Sequence, residues 1–503
     1  MREAGILLPI TALPSKYGIG CFSKEAYEFV DWLSEAHQSY WQILPLGPTG
    51  FGDSPYQAFS TYAGNPYFID FEKLIDEGLI EDKECDSIDF GEDDEYIDYK
   101  KIYDNRFEIL KKAFAKSKHN DDVEYTEFIW RNAGWIEDYA LFMALKEKFD
   151  NKPWYEWDKD IRTRQKSVME SLKEELQPQT DFWKFVQYKF YTQWNRLKKY
   201  ANEKGIKIIG DIPIYVSADS ADVWSSPELF ELDEDRKPLF VAGCPPDGFS
   251  KTGQLWGNPL YDWEEHKKSG FSWWIKRIMT CFLMYDVVRI DHFRGFDEYY
   301  SIKYNSPDAT KGEWRKGPGI EIFNAVFNAI GKREYIAEDL GFVTPSVKKL
   351  LEDTGFPGMK ILEFAFDERD TGSANDYLPH NYPTNCVSYT ATHDNQTVIS
   401  WFSDISDAER QKVRNYLCDE YTPKEKINLP LISLCMMSRA KLCIIPLQDY
   451  MGCNDKARIN TPSTTGNNWR WRVKKSALDE ELSNTVRLIT DTYGRENKMN
   501  KVV

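Results

Sequence analysis

Three carboxylates stand where catalytic acids are useful: Asp291, Glu338 and Asp394. Each follows a short apolar run. Asp291 closes Val287-Val288-Arg289-Ile290, Glu338 follows Tyr335-Ile336-Ala337, and Asp394 comes after Cys386–Thr392 and His393. Side chains alternate along a strand, so Arg289 and Asp291 point the same way. A fixed cation there predicts a lowered pKa for Asp291, as a carboxylate nucleophile needs. Its apolar run predicts a raised pKa for Glu338, as a general acid needs. Two carboxyls flanking one bond are the equipment for cleaving a glycosidic linkage. Asp394, with His393 beside it, would bind sugar hydroxyls and stabilise the positive charge that develops. The competing reading is three unrelated ion pairs, because structural networks also perturb carboxylates. His292 and His393 admit a metal reading too, but six His with no HxH or HExxH spacing speak against it. Neither GxGxxG nor GxxxxGK occurs, so no nucleotide cofactor is expected.

Such residues need a scaffold that brings strand tips together. Eight apolar runs read as strands: 5–13, 40–46, 207–216, 286–291, 334–340, 359–366, 386–392 and 441–447. From the third on, each is followed by a helical or inserted segment. This alternation predicts an α/β fold, a (β/α)8 barrel whose C-terminal rim gathers the reactive tips. Residues 67–204 are dense in charge and helical in pattern, and are expected to form a mainly helical insertion between strands two and three. A second insertion, 217–270, carries the Gly- and Pro-rich stretch 243–259, read as a shaped loop over the rim. The whole chain, 1–503, is expected to be one catalytic barrel.

Composition narrows the partners. A net charge of −17 argues against nucleic acid, which needs a basic surface. The apolar runs fall short of the roughly 20 residues of a membrane span, so no membrane partner is expected. The N-terminus lacks the pattern of a signal peptide, and nine scattered cysteines without a CxxC pair suggest reduced thiols. Both point to the cytoplasm. Seventeen Trp, 29 Tyr and 29 Phe exceed what a core of this size usually needs, and some are available to stack on sugar rings.

Several long stretches together carry a family resemblance: GDIPIYVSADSADVW, GCPPDGFSKTGQLWGNPLYDW, DVVRIDHFRG, EYIAEDLG, FPGMKILEFAF, SYTATHDN and ARINTPSTTGNNWRWR. They resemble the 4-α-glucanotransferases, the amylomaltases or disproportionating enzymes of glycoside hydrolase family 77. The likeness runs from LLPITALPSKYGIG to NWRWR. It implies an α-retaining double displacement on α-1,4-glucans and maltooligosaccharides, with glucose as an acceptor and no cofactor. It further implies Asp291 as nucleophile, Glu338 as acid/base and Asp394 as transition-state stabiliser. By the same resemblance Arg289 and His393 lie beside the reacting sugar, and His292, Asp211 and Tyr56 line the subsites. Gln254 and Trp256 lie on a loop arching over the glucan, with Asp247 at its base. The family lacks the separate C-terminal β-domain of many amylases. Cys21, where Asp is common, and Gly248, where a larger side chain is frequent, depart from the pattern. A monomer or homodimer is expected.

The nearest rival is an α-amylase-type hydrolase using the same three carboxylates. A silent glucan-binding protein would keep the aromatics without needing all three.

Overall fold

A computed structural model describes residues 2–50, 52–91, 93–246, 250–341, 343–368 and 372–497. Its strands, in chain order, are β1 (Glu3–Leu7), β2 (Tyr40–Gln42), β3 (Lys207–Pro213), β4 (Phe240–Cys244), β5 (Gln254–Pro259), β6 (Val287–Asp291), β7 (Glu298–Lys303), β8 (Gly312–Lys316), β9 (Glu334–Ala337), β10 (Gly358–Ile361), β11 (Cys386–Tyr389) and β12 (Leu442–Pro446). Eight of them close a barrel in the order β1-β12-β11-β10-β9-β6-β3-β2. Neighbouring strands around the ring are parallel, as in β3 with β6 and β6 with β9. The barrel predicted from the eight apolar runs is the one that forms.

Strand alternation splits the apolar residues into two layers. Leu7, Ile209, Val287, Ile336, Met359, Val387 and Ile444 fill the barrel interior. Ile6, Ile208, Val288, Ala337 and Cys443 face outward, into the large core shared with the helices. Arg289 has the parity of Val287, so its charged head rises inside the barrel toward the rim.

The barrel strands are shorter than their apolar runs. β1 ends at Leu7, and after Pro9 the chain makes a 3-10 turn at Ile10–Ala12. β10 ends at Ile361, and Leu362–Ala365 turn away while Leu362, Ala365 and Phe366 stay buried. An apolar run records burial, and burial continues past the end of the ladder.

Between β2 and β3 every named element is helical, ending in the 27-residue helix Gln177–Glu203. That helix docks through Trp194, whose ring packs on Phe22 and whose Nε1 donates to the Met284 carbonyl at 3.1 Å. The second insertion corrects the expectation of a loop. Residues on either side of 247–249 are strands: β4 and β5 pair antiparallel, β4 also pairs with β7, and β7 with β8. The result is a four-stranded sheet, β5-β4-β7-β8, built from segments after β3 and after β6. Beyond β12 the described residues form the short helix Leu447–Tyr450, two 3-10 turns and the helix Glu480–Thr492. Among the described residues no helix is long and apolar enough to cross a membrane.

Candidate active site

β3 and β6 lie in register with Asp211 opposite Arg289. The guanidinium NH1 therefore meets Asp211 Oδ2 at 2.5 Å and Asp291 Oδ1 at 3.0 Å. One cation serves two carboxylates from adjacent strands. Its Nε points to Met359 Sδ at 3.4 Å, across the barrel mouth.

On the other side, Ile290 pairs with Ala337 as the last rung between β6 and β9. One residue further along each strand stand Asp291 and Glu338. Neighbouring strands are about 4.8 Å apart, so the two carboxyls start from adjacent backbone positions. Main-chain bonds then fix Glu338: its N–H donates to the Ile290 carbonyl, and its own carbonyl accepts from Phe293, both at 3.0 Å. Its carboxylate accepts from the N–H groups of His292 at 2.7 Å and Leu340 at 2.8 Å. His292 sits at φ 53°, in the left-handed region that a non-glycine residue visits rarely.

Asp394 projects from the turn after β11, with its side chain 43% exposed. Asn460 Nδ2 donates to its Oδ1 at 2.6 Å, and Arg458 NH2 donates to its main-chain carbonyl at 2.8 Å. His393 Nε2 lies 3.4 Å from Asp394 Oδ2. The Tyr56 hydroxyl donates to Asp211 Oδ2 at 2.7 Å and stands 2.9 Å from His393 Nε2. Because that hydroxyl proton goes to Asp211, His393 Nε2 carries a hydrogen and points it at Tyr56 and Asp394. The Tyr56 and His393 rings are stacked, with centroids 5.4 Å apart. A continuous polar chain thus runs from Asp394 through His393, Tyr56, Asp211 and Arg289 to Asp291.

Trp256 stands edge-on to His292 at 4.8 Å, and its Nε1 donates to Gln254 Oε1 at 3.0 Å. The sheet built from the segments after β3 and after β6 therefore brings Trp256 against the β6 tip, with Gln254 on its ring nitrogen. Asp247 and Gly248 lie outside the described residues. Cys21 is buried, with its N–H donating to Ser15 Oγ and its thiol 4.0 Å from Asp70.

The electrostatics correct one expectation. Burial pushes the Asp291 carboxyl well above its ordinary value; Arg289 opposes this, and Asp211, Glu338 and Asp394 add to the rise. Arg289 is shared, and one positive charge does not offset four clustered carboxylates. Glu338 is raised as expected, by burial first and against the pull of Arg289. Burial lowers His292 to about 3 and lowers His393 as well, so neutral imidazoles line the site at pH 7. Among the described residues no three His, Cys, Asp or Glu side chains are grouped to hold a metal ion.

Sequence reading overlooked Asn460 and Arg458 as partners of Asp394. It also overlooked Trp469, whose ring lies 5.9 Å from Tyr56 and 6.1 Å from His393. All three belong to the stretch ARINTPSTTGNNWRWR, but nothing local in it points at Asp394.

A parallel barrel whose rim joins an Arg-paired aspartate, a main-chain-held glutamate and a third aspartate defines a carbohydrate-active enzyme with the equipment for glycosidic chemistry. The chain belongs to the 4-alpha-glucanotransferases of glycoside hydrolase family 77, whose sequence profile matches residues 8–478. The 4-alpha-glucanotransferase of Clostridium butyricum is 48% identical, over 97% of this chain and 99% of its own. That of Aquifex aeolicus is 44% identical, over 99% and 100%. The solved amylomaltase of Streptococcus agalactiae, in complex with acarbose, superposes with a TM-score of 0.95 at 43% identity, covering 99% of this chain and 100% of its own. The amylomaltase of Corynebacterium glutamicum, at 16% identity and a TM-score of 0.79 over 99% of this chain and 75% of its own, shares the fold.

Proposed function

We propose that this enzyme moves a segment of an α-1,4-glucan to the 4-OH of an acceptor sugar by a retaining double displacement. Glu338 protonates the glycosidic oxygen while Asp291, reacting as the carboxylate that the Arg289 guanidinium holds at 3.0 Å, attacks C1, giving a β-glucosyl ester and releasing the reducing-end fragment. Asp394 steadies the charge that builds on the ring. The acceptor 4-OH then attacks C1, Glu338 removes its proton, and the Asp291 carboxylate leaves. Retention needs the two carboxyls about 5–5.5 Å apart. The observation that carries the reading is the hydrogen bond from the His292 N–H to Glu338. It couples the glutamate to the residue that follows the nucleophile.

Tyr56, Asp211, Arg289 and His393 hold the non-reducing side of the donor in this scheme. Gln254, Trp256 and His292 cover the reacting sugar and keep water from the ester, which favours transfer over hydrolysis. Asp247 is assigned to the base of the same cover. Maltooligosaccharides and glucose are the acceptors. Nine free thiols suit a reducing compartment, so we assign the enzyme to the cytoplasm.

Incubation with maltotriose alone tests the proposal. Longer maltooligosaccharides should form beside glucose or maltose with the number of reducing ends conserved, and Asp291→Asn should abolish this. Shorter sugars with new reducing ends would instead mark a hydrolase.

A further inference from the structure

β5 carries Trp256 and, two residues on, Asn258. Between them Gly257 adopts φ +77°, with open space where a Cβ would stand. The ladder slips at this point: Val241 pairs with Pro259 and Gly243 with Leu255, so β5 uses more residues than β4 over the same span. Such a bulge re-aims the side chains it contains.

Asn258 is 4% exposed and ties three segments together. Its Nδ2 donates to the Val216 carbonyl at 2.7 Å, just past the β3 tip. Its Oδ1 accepts from Gln57 Nε2 at 3.1 Å, beside Tyr56 on the loop after β2. Those segments carry Trp256, Asp211 and Tyr56.

We propose that Asn258 is the positioning residue that, through the bulge at Gly257, sets how closely Trp256 covers the reacting sugar and so fixes the preference for a sugar acceptor over water. This rests on the covering role of Trp256 given above. Without Asn258, a buried carbonyl and the Gln57 amide lose their partner, and β5 loses its hydrogen bonds to the segments after β3 and β2. In the competing reaction water attacks C1 of the glucosyl ester, Glu338 takes its proton, and the Asp291 carboxylate departs. The balance of atoms is the same as in transfer; only the acceptor differs.

The test uses the full chain with maltotriose, comparing new reducing ends with oligosaccharides formed by transfer. Wild type, W256A, N258A, Q57A and the double variant Q57A/N258A are compared. Asn258→Ala should raise the hydrolytic share about tenfold, the equivalent of one buried hydrogen bond, while total donor cleavage changes much less. Gln57→Ala should move the ratio the same way by less, and the double variant should go no further than N258A, because both break one clamp. A wild-type ratio in N258A, with a shifted ratio in W256A, overturns the clamp and leaves the cover standing. An unshifted ratio in W256A removes the cover and this inference with it. If N258A does not fold, Q57A carries the test: a wild-type ratio there overturns the clamp.

Discussion

The main-chain N–H of His292 donates to the Glu338 carboxylate at 2.7 Å. The residue after Asp291 therefore holds the Glu338 carboxylate, and movement of either strand tip disturbs both groups. The Glu338 carboxylate is thus tied to the backbone of the β6 tip, which is stiffer than a side chain. The Leu340 N–H supplies the second bond, at 2.8 Å. Burial still wins over both bonds and raises the Glu338 carboxyl.

Glu338→Gln keeps the shape and removes the transferable proton. Transfer from maltotriose should fall about 10²–10⁴-fold. A donor with a leaving group that needs no protonation should recover the first step but not the attack by the acceptor. Equal losses with both donors would take the acid role from Glu338.

Arg289 is 3% exposed and is the cation shared by Asp211 and Asp291. Arg289→Ala leaves Asp211 buried beside Asp291 without it. Stability should drop by about 3–5 kcal/mol, read from the urea midpoint, and transfer should be lost. Arg289→Lys keeps the charge but not the fork, and should recover stability better than activity. A change below about 1 kcal/mol in the alanine variant would show the pairing to be unimportant for the fold.

Asp449 is 1% exposed and accepts from Thr390 Oγ1 at 2.6 Å and the Val398 N–H at 3.0 Å, behind the Asp394 turn. Burial raises its carboxyl from 3.8 to about 6. Between those values the native state keeps a proton that the unfolded chain has released, so stability falls as pH rises through that window. At about 1.4 kcal/mol per pH unit, this contribution amounts to about 3 kcal/mol. Urea unfolding of wild type and Asp449→Asn across the window should give curves whose difference changes by that amount and then levels off above about pH 6. Parallel curves would show that Asp449 ionises normally.

Gly210 precedes Asp211 on β3, and a Cβ there would meet the Tyr285 ring at 2.1 Å. Gly210→Ala should cost about 1–3 kcal/mol by overpacking. It should also slow transfer by shifting Asp211 against Arg289. Unchanged stability together with an unchanged rate would mean that Tyr285 yields without moving the strand.

The placement of the three carboxylates was legible in the chain because barrel strands announce themselves by continuous apolar runs, and Asp291, Glu338 and Asp394 each follow one. Period two placed Arg289 beside Asp291. Repeated βα alternation predicted the barrel, and the long motifs pointed to the family. Other features came only from tertiary structure. Arg289 is shared with Asp211 because β3 and β6, about 80 residues apart in sequence, lie in register. Burial, with that sharing, reverses the direction expected for Asp291. β5 and β8 carry many exposed residues, and β4 and β5 are each interrupted by a Gly; segments after β3 and after β6 supply the partners that make them a sheet with β7. Asn460 reaches Asp394 across 66 positions, and Asn258 reaches Gln57 across 201. Local pattern reports which face of an element is buried; which polar groups meet depends on register and loop path, and those are decided only when the whole ring closes.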